Sequence, residues 1–283
     1  MVNSANLSFA LCPLLTDGAI EALLTAGTLA IATTALQAQT NVTPNLSAGV
    51  GSFYTDRYAP AGFATNNGIQ GRNDVLQITI DASTNAGNRG GLGATFYNTQ
   101  GKKTDVNTAG SWFFRSDLYV AEGWATPRSN GYVRTDMWAT STDNPTFTNP
   151  SAYPIVGFTN FGGAARFRGW NGGSWTDFSS TVNFGQWNTL EMMFDDNSDL
   201  LSYFVNGVLA GTVNDAVSTG VGNVMYQAYN FNDPALSISE NPDYVTNWSN
   251  TAVVPEPSTY ALLATGLALL AAGARRRRRT AAE

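Results

Sequence analysis

Trp187 to Val213 reads WNTLEMMFDDNSDLLSYFVNGVLAGTV, and the pattern of this stretch decides the fold class. Leu190, Met192 and Phe194 recur at every second position, the spacing that lines one face of a half-buried strand. Asp195 to Asp199 is a run of turn formers, whose short polar side chains hydrogen-bond nearby backbone. Leu200 to Val205 supplies the next strand, Asn206-Gly207 is a two-residue hairpin signal, and Val208 to Val213 returns. Asn and Gly suit that turn because both of its central residues need positive φ. The stretch predicts a three-strand antiparallel meander.

The same period runs outward. Leu76, Ile78 and Ile80 alternate in VLQITI, and Trp112, Phe114, Leu118 and Val120 share one face of WFFRSDLYV. Arg115, Asp117 and Tyr119 occupy the other face. Between Thr40 and Asn250 no helical run stands out, no repeat has a fixed period, and Gly- and Asn-rich breaks punctuate the strands, as in a sandwich. The expectation is one all-β domain over residues 40–250, built as an antiparallel β-sandwich.

Composition narrows the chemistry. Aromatic residues make up 12% of the 283 and charged residues only 13%, a balance that disordered chains do not show. There is no histidine, so Ser-His-Asp triads, Cys-His pairs and imidazole metal sites are excluded. Cys12 is the only cysteine and lies in a segment expected to be removed. Disulfides, thiolate zinc and iron–sulfur clusters are then excluded from the body too. Five of the fifteen basic residues form the run Arg275 to Arg279. Between Thr40 and Val254, ten basic residues face seventeen acidic ones, a balance of −7. Nucleic acid is therefore not an expected partner, because its affinity rests on Lys and Arg neutralising phosphates.

The two ends differ from the body. Leu23 to Ala35 (LLTAGTLAIATTA) is an apolar run followed by Leu36-Gln37-Ala38-Gln39, which reads as an export segment over 1–38 with cleavage after Ala38. No Lys or Arg precedes it, and Asp17 and Glu21 lie upstream, so a buried amphipathic helix is the alternative. Phe9-Ala10-Leu11 and Pro13 around Cys12 do not resemble a lipoprotein attachment site. At the other end, Val254-Pro255-Glu256-Pro257-Ser258-Thr259 leads into Tyr260 to Ala274, fifteen residues without a charge, and then the arginines. As a helix those fifteen span roughly 22 Å, and Tyr260 and the snorkelling arginines extend their reach toward a bilayer's ~30 Å. The positive run places that end in the cytoplasm.

In order and position, these three parts, residues 254–279, resemble the PEP-CTERM sorting signal of Gram-negative bacteria. Pro255, Glu256 and Pro257 carry the motif, and Arg275, Arg276, Arg277, Arg278 and Arg279 form its basic cluster. The resemblance implies export, an inner-membrane precursor held by the apolar helix, recognition by an exosortase-type peptidase, and delivery to the cell surface or extracellular matrix. The meander, with YPIVGFTN and ARFRGWNGGSWTDF upstream, resembles the jelly roll of concanavalin A-like lectins, glucanases and laminin-G-like domains. That likeness implies a fold and no particular activity.

Three constellations remain as candidate sites. Trp170, Asn171, Trp175 and Asp177 offer either two indoles and polar groups to a sugar, or a cross-strand tryptophan pair closed by a turn. Asp195, Asn197 and Asp199 begin like a calcium loop, but Leu200 and Asn206 stand where an EF-hand needs Gly and Glu, so a hairpin turn is the alternative. Glu191 and Asp195 are the nearest match to a glucanase acid set. Met193 holds the central position, and four residues of strand separate them by roughly 13 Å, beyond the ~9.5 Å limit for inverting enzymes. The reading is a non-catalytic surface or matrix protein, structural or adhesive, with weak polysaccharide contacts. A dedicated lectin, calcium-dependent or not, is the alternative, and a glycosidase follows it. Because the body lacks cysteine, its thermal unfolding midpoint should be the same with and without dithiothreitol. A midpoint that drops on reduction contradicts the assignment.

Overall fold

Alternation in the sequence becomes alternation in burial. Asn188, Leu190, Met192 and Phe194 are wholly buried while their neighbours along the strand are partly exposed. The computed structural model describes residues 44–81, 99–126, 132–229 and 243–255. The expected leader with Cys12, the residues Glu256 and Pro257, the apolar run 260–274 and Arg275 to Arg279 lie outside the described residues. Among the described residues no helix is long and apolar enough to cross a membrane.

The described strands are β1 (Tyr54–Thr55), β2 (Gly62–Asn66), β3 (Val75–Ile80), β4 (Thr99–Ala109), β5 (Trp112–Val120), β6 (Arg134–Thr142), β7 (Pro150–Ala152) and β8 (Ile155–Thr159). They continue as β9 (Arg166–Trp170), β10 (Trp175–Asp177), β11 (Gln186–Asp195), β12 (Leu200–Val205), β13 (Val208–Asn214), β14 (Gly220–Tyr229) and β15 (Tyr244–Pro255). One sheet runs β1-β4-β14-β6-β8-β9-β10, with β7 paired to β6. The other runs β13-β12-β11-β5-β15-β3-β2. The pairings of these strands are antiparallel, and the result is a two-sheet sandwich of the jelly-roll kind. The β11–β12–β13 meander follows the expected register. Asn206 and Gly207 take φ of 51° and 76°, and Thr189 N donates to Asn206 Oδ1 at 2.9 Å.

Aromatic rings fill the space between the sheets. Tyr226 of β14 meets Phe114 of β5 edge-on at 5.8 Å and Trp248 of β15 at 5.1 Å. Polar tips of three buried rings find partners. Trp248 Nε1 donates to Thr135 Oγ1 at 3.1 Å, which donates on to Gln227 O at 2.9 Å. Tyr226 Oη and Thr251 Oγ1 are 2.6 Å apart, and Tyr203 Oη donates to Trp170 O at 2.7 Å. Burial pushes the Tyr203, Tyr226 and Tyr244 hydroxyls above their ordinary pKa, so all three stay protonated donors.

The last strand passes the expected boundary at Asn250. It pairs with β5 from Asn247, and after a bulge between Ser249 and Ala252 that pairing runs on to Pro255↔Trp112. Trp248→Ala should cost about 3–5 kcal/mol, since it opens a cavity and removes the indole N–H that donates to Thr135 Oγ1. Urea denaturation reads this directly. A loss below about 1 kcal/mol, within the range of surface substitutions, contradicts the placement of Trp248 between the sheets.

Candidate functional site

In β6 the alternation fails: from Thr135 to Thr142 every residue is buried. Met137 and Ala139 point into the core, so something must also cover the opposite, outer face, which carries Arg134, Asp136 and Trp138. Two cross-strand rows on that face supply the cover.

The first row is apolar. Met225, Trp138 and Ile155 are register neighbours on β14, β6 and β8, and they form a second buried cluster outside the main core. Trp170 and Trp175 pack against it from the β9–β10 hairpin. These two are direct cross-strand partners, edge to face at 5.4 Å, and both remain partly exposed. Asn171 Oδ1 closes the connecting turn by accepting from Gly173 N at 3.1 Å and Ser174 N at 2.7 Å.

The second row is polar and runs Gly101–Gln227–Asp136–Gly157–Arg168–Asp177 across β4, β14, β6, β8, β9 and β10. Both glycines make room for their neighbours. A Cβ at Gly157 would collide with Asp136 Oδ1, and one at Gly101 with Gln227 Cγ. Glycine inside a strand marks such close approaches. Asp136 is 1% exposed and bound through Oδ2 to Arg134 Nε at 2.6 Å, while its Oδ1 and Gln227 Oε1 are buried without a hydrogen-bond partner.

Cations stack on the rings of the first row. The Arg168 guanidinium lies 3.8 Å from the centre of the Trp175 ring, Arg134 lies 4.8 Å from that ring, and Arg57 lies 4.9 Å from Trp138. Carboxylates hold most of these charges. Asp56 meets Lys103 at 3.1 Å and Arg57 at 3.5 Å, and Asp177 meets Arg166 at 2.7 Å. Arg168 has no carboxylate within ion-pair distance among the described residues. Burial pushes its guanidinium down to about 10, opposed by the charge of Asp136, so it stays cationic at neutral pH. Of the eight basic residues described, Arg57, Lys103, Arg134, Arg166 and Arg168 gather here, whereas Arg72, Lys102 and Arg115 do not.

The other candidates lie elsewhere. Glu191 is on the outer face of the second sheet, opposite Arg115 in register and 3.9 Å from it. Burial raises its pKa, against the Arg115 charge. Asp195 sits at the far end of the same extended strand. Its carboxylate accepts from Asn197 N at 3.0 Å and Ser198 Oγ at 2.7 Å, bonds that depress its pKa and tie it into the turn. Asp199 there takes the left-handed φ of 55°. Among the described residues no group of three acidic, His or Cys side chains is placed to hold a metal. The second sheet also borders an open polar cavity of about 470 Å³ beside Arg72, Asp74 and Asn250.

Trp170, Trp175 and Asp177 thus meet Trp138, Asp136, Gln227, Arg134 and Arg168, five residues that the sequence reading did not single out. Their signal was present in the alternation of R-T-D-M-W and R-F-R-G-W and in glycines within strands. Two-sided burial of β6 and β14 hid it.

The family model describing the PEP-CTERM protein-sorting motif matches residues 253–279. The chain therefore carries a signal for an exosortase-type sorting system, the mark of an exported, surface-associated protein. No curated protein sequence matches the chain. Among solved structures, a sialidase is similar at 10% identity and TM-score 0.47, over 78% of this chain and 18% of that one. A functionally unknown protein from Saccharomyces cerevisiae is similar at 13% identity and TM-score 0.46, over 75% and 98%. An alginate lyase of polysaccharide lyase family 7 is similar at 14% identity and TM-score 0.43, over 75% and 87%. The chain spans under a fifth of the sialidase's length.

Asp136→Ala should destabilise the protein by about 3–5 kcal/mol, because it strands Arg134 and removes the carboxylate facing Arg168. Denaturant titration at neutral pH measures it, and a change within 0.5 kcal/mol, as at an ordinary surface site, contradicts a buried ion-paired Asp136.

Proposed function

We propose that this protein is a non-catalytic surface or matrix component of a Gram-negative bacterium, structural or adhesive in role. In this reading it leaves the cell by the export machinery and is held in the inner membrane until an exosortase releases it. The outer face of the first sheet then contacts an extracellular polysaccharide that bears carboxylates. One observation carries the reading: a body of charge −7 collects five of its eight described cations on one sheet face, against three tryptophans. Sugar rings present flat apolar faces to indoles, and their carboxylates pair with guanidinium groups. Arg168, lying over Trp175 without a carboxylate partner among the described residues, joins both kinds of contact at one place.

The absence of catalysis is part of the proposal. On this face Asp136 is shielded by Arg134, and Asp56 and Asp177 are engaged by cations, which favours charge balance over acid–base work. Glu191 has Arg115 opposite it and Asp195 is engaged in its turn.

Retention of the purified protein on immobilised acidic polysaccharide tests the reading. Arg168→Ala and Trp175→Ala should each weaken retention about tenfold, or ~1.4 kcal/mol. Added salt should weaken the wild type as well, and no reducing ends should be released. Equal retention of all three proteins contradicts the site. Release of reducing ends that Glu191→Gln abolishes contradicts the non-enzymatic reading.

A further inference from the structure

Three separate stretches of chain build the open cavity beside the second sheet: the short turn capped by Asn45, the β2–β3 hairpin and the β15 bulge at Asn250. Its volume of about 470 Å³ lies within the range of small-ligand sites. None of Trp138, Trp170, Trp175 and Arg168 lines it.

The hairpin is held firmly. Gln70 and Gly71, at φ 49° and 77°, form its two-residue tip, and Ile69 and Arg72 exchange both backbone hydrogen bonds, at 3.0 and 2.9 Å. Behind the tip, Asn67 Oδ1 accepts from Asp74 N at 3.0 Å and Asn73 Oδ1 accepts from Gly68 N at 3.2 Å. Arg72 fastens the hairpin to the sheet. Its Nη1 donates to the buried Asp117 Oδ2 at 2.7 Å, and its guanidinium lies 4.2 Å from the centre of the Trp187 ring. Trp187 Nε1 in turn donates to Gln70 O at 3.1 Å. On the bulge, Asn250 Nδ2 donates to the same Asp117 Oδ2 at 3.2 Å.

These bonds decide what each lining group has left to offer. An amide that uses its oxygen inside the protein keeps its N–H groups, and one that uses its nitrogen keeps its oxygen. Asn73 Oδ1 is taken by Gly68, and Asn45 Oδ1 accepts from Ser47 N at 3.1 Å and Ser47 Oγ at 2.6 Å, so both keep Nδ2 as a donor. Asn250 keeps Oδ1 as an acceptor. Asp74 bonds through its backbone N–H, which leaves its carboxylate as a second acceptor among the described residues.

An anion in this cavity would face Asp74 and Asn250 Oδ1, and a cation would face Arg72 and two Nδ2 groups. Hydroxyls, which donate and accept, satisfy both sets. We propose that the cavity is a second ligand site, which takes an uncharged, hydroxyl-rich unit such as a neutral hexose. Its hydroxyls donate to Asp74 and Asn250 Oδ1 and accept from Asn45 and Asn73 Nδ2. Because internal bonds orient these groups before the ligand arrives, little side-chain freedom is lost on binding. The site stands apart from the first-sheet face and does not depend on it.

Titration of nitrogen-15-labelled protein with the methyl glycosides of glucose, galactose and mannose tests the proposal. The side-chain amides of Asn45 and Asn73 give their own resonances, each assigned by its loss in Asn45→Asp or Asn73→Asp. Saturable shifts of both with at least one glycoside are expected, with the indole resonances of Trp138, Trp170 and Trp175 unmoved. Asp74→Asn keeps the shape and tolerates the left-handed φ of 57°. It should weaken binding about fivefold, as a charge-assisted hydrogen bond becomes a neutral one. Asn73→Asp keeps the oxygen that accepts from Gly68 N but turns the donor into an acceptor, and should weaken binding at least as much. Amides unmoved by all three glycosides, or both variants binding as the wild type does, overturn the site. Shifts confined to the three indoles also overturn it, and leave the first-sheet face standing as a sugar contact.

Discussion

Strands buried on both faces impose the central constraint of this protein. β6 and β14 lie in the middle of their sheet, with the aromatic core on one side and a second layer of side chains on the other. Water does not reach Asp136 in the outer layer, so its carboxylate needs a partner from the protein. Asp136 meets that need through Arg134, and glycine at 157 leaves the volume its carboxylate occupies. Without that pair, β6 could not carry an aspartate at a buried position, since an unpaired buried charge is among the costliest features in a fold.

The chemistry of the face follows from the same constraint. Arginines called in to neutralise or cover buried groups have stems long enough to lie over indoles, and the rings accept them through their negative faces. A layer that began as cover therefore presents guanidinium edges and ring edges together, the pairing on which the proposed polysaccharide contact rests. In the second sheet the constraint acts differently. β15 brings Val253 into the core, and the sorting motif begins before the fold has ended.

Legibility in the sequence followed local period. The β11–β12–β13 meander, its Asn206-Gly207 turn and the Trp170–Trp175 hairpin were readable because each depends on residues a few positions apart. The role of Asp195 as a turn acceptor was readable for the same reason, as one of two alternatives. The Gly101–Gln227–Asp136–Gly157–Arg168–Asp177 row was not, because six strands contribute one residue each, and only register aligns them. From Met137 to Thr142, β6 reads as continuous apolar and small polar residues, without a polar side to mark solvent. The continuation of β15 past Asn250 was hidden by the bulge: Asn250 and Thr251 break the alternation where the register against β5 shifts.

In the proposed function, ligand contact belongs to the outer face of the first sheet. Tryptophan indole N–H resonances separate the two faces, since Trp138, Trp170 and Trp175 lie on that face, Trp187 on the second sheet, and Trp112 and Trp248 in the core. In a titration of nitrogen-15-labelled protein with an acidic oligosaccharide, the account predicts shifts at Trp138, Trp170 and Trp175 with Trp187, Trp112 and Trp248 unmoved. Movement of Trp187 with the first three unmoved would contradict it.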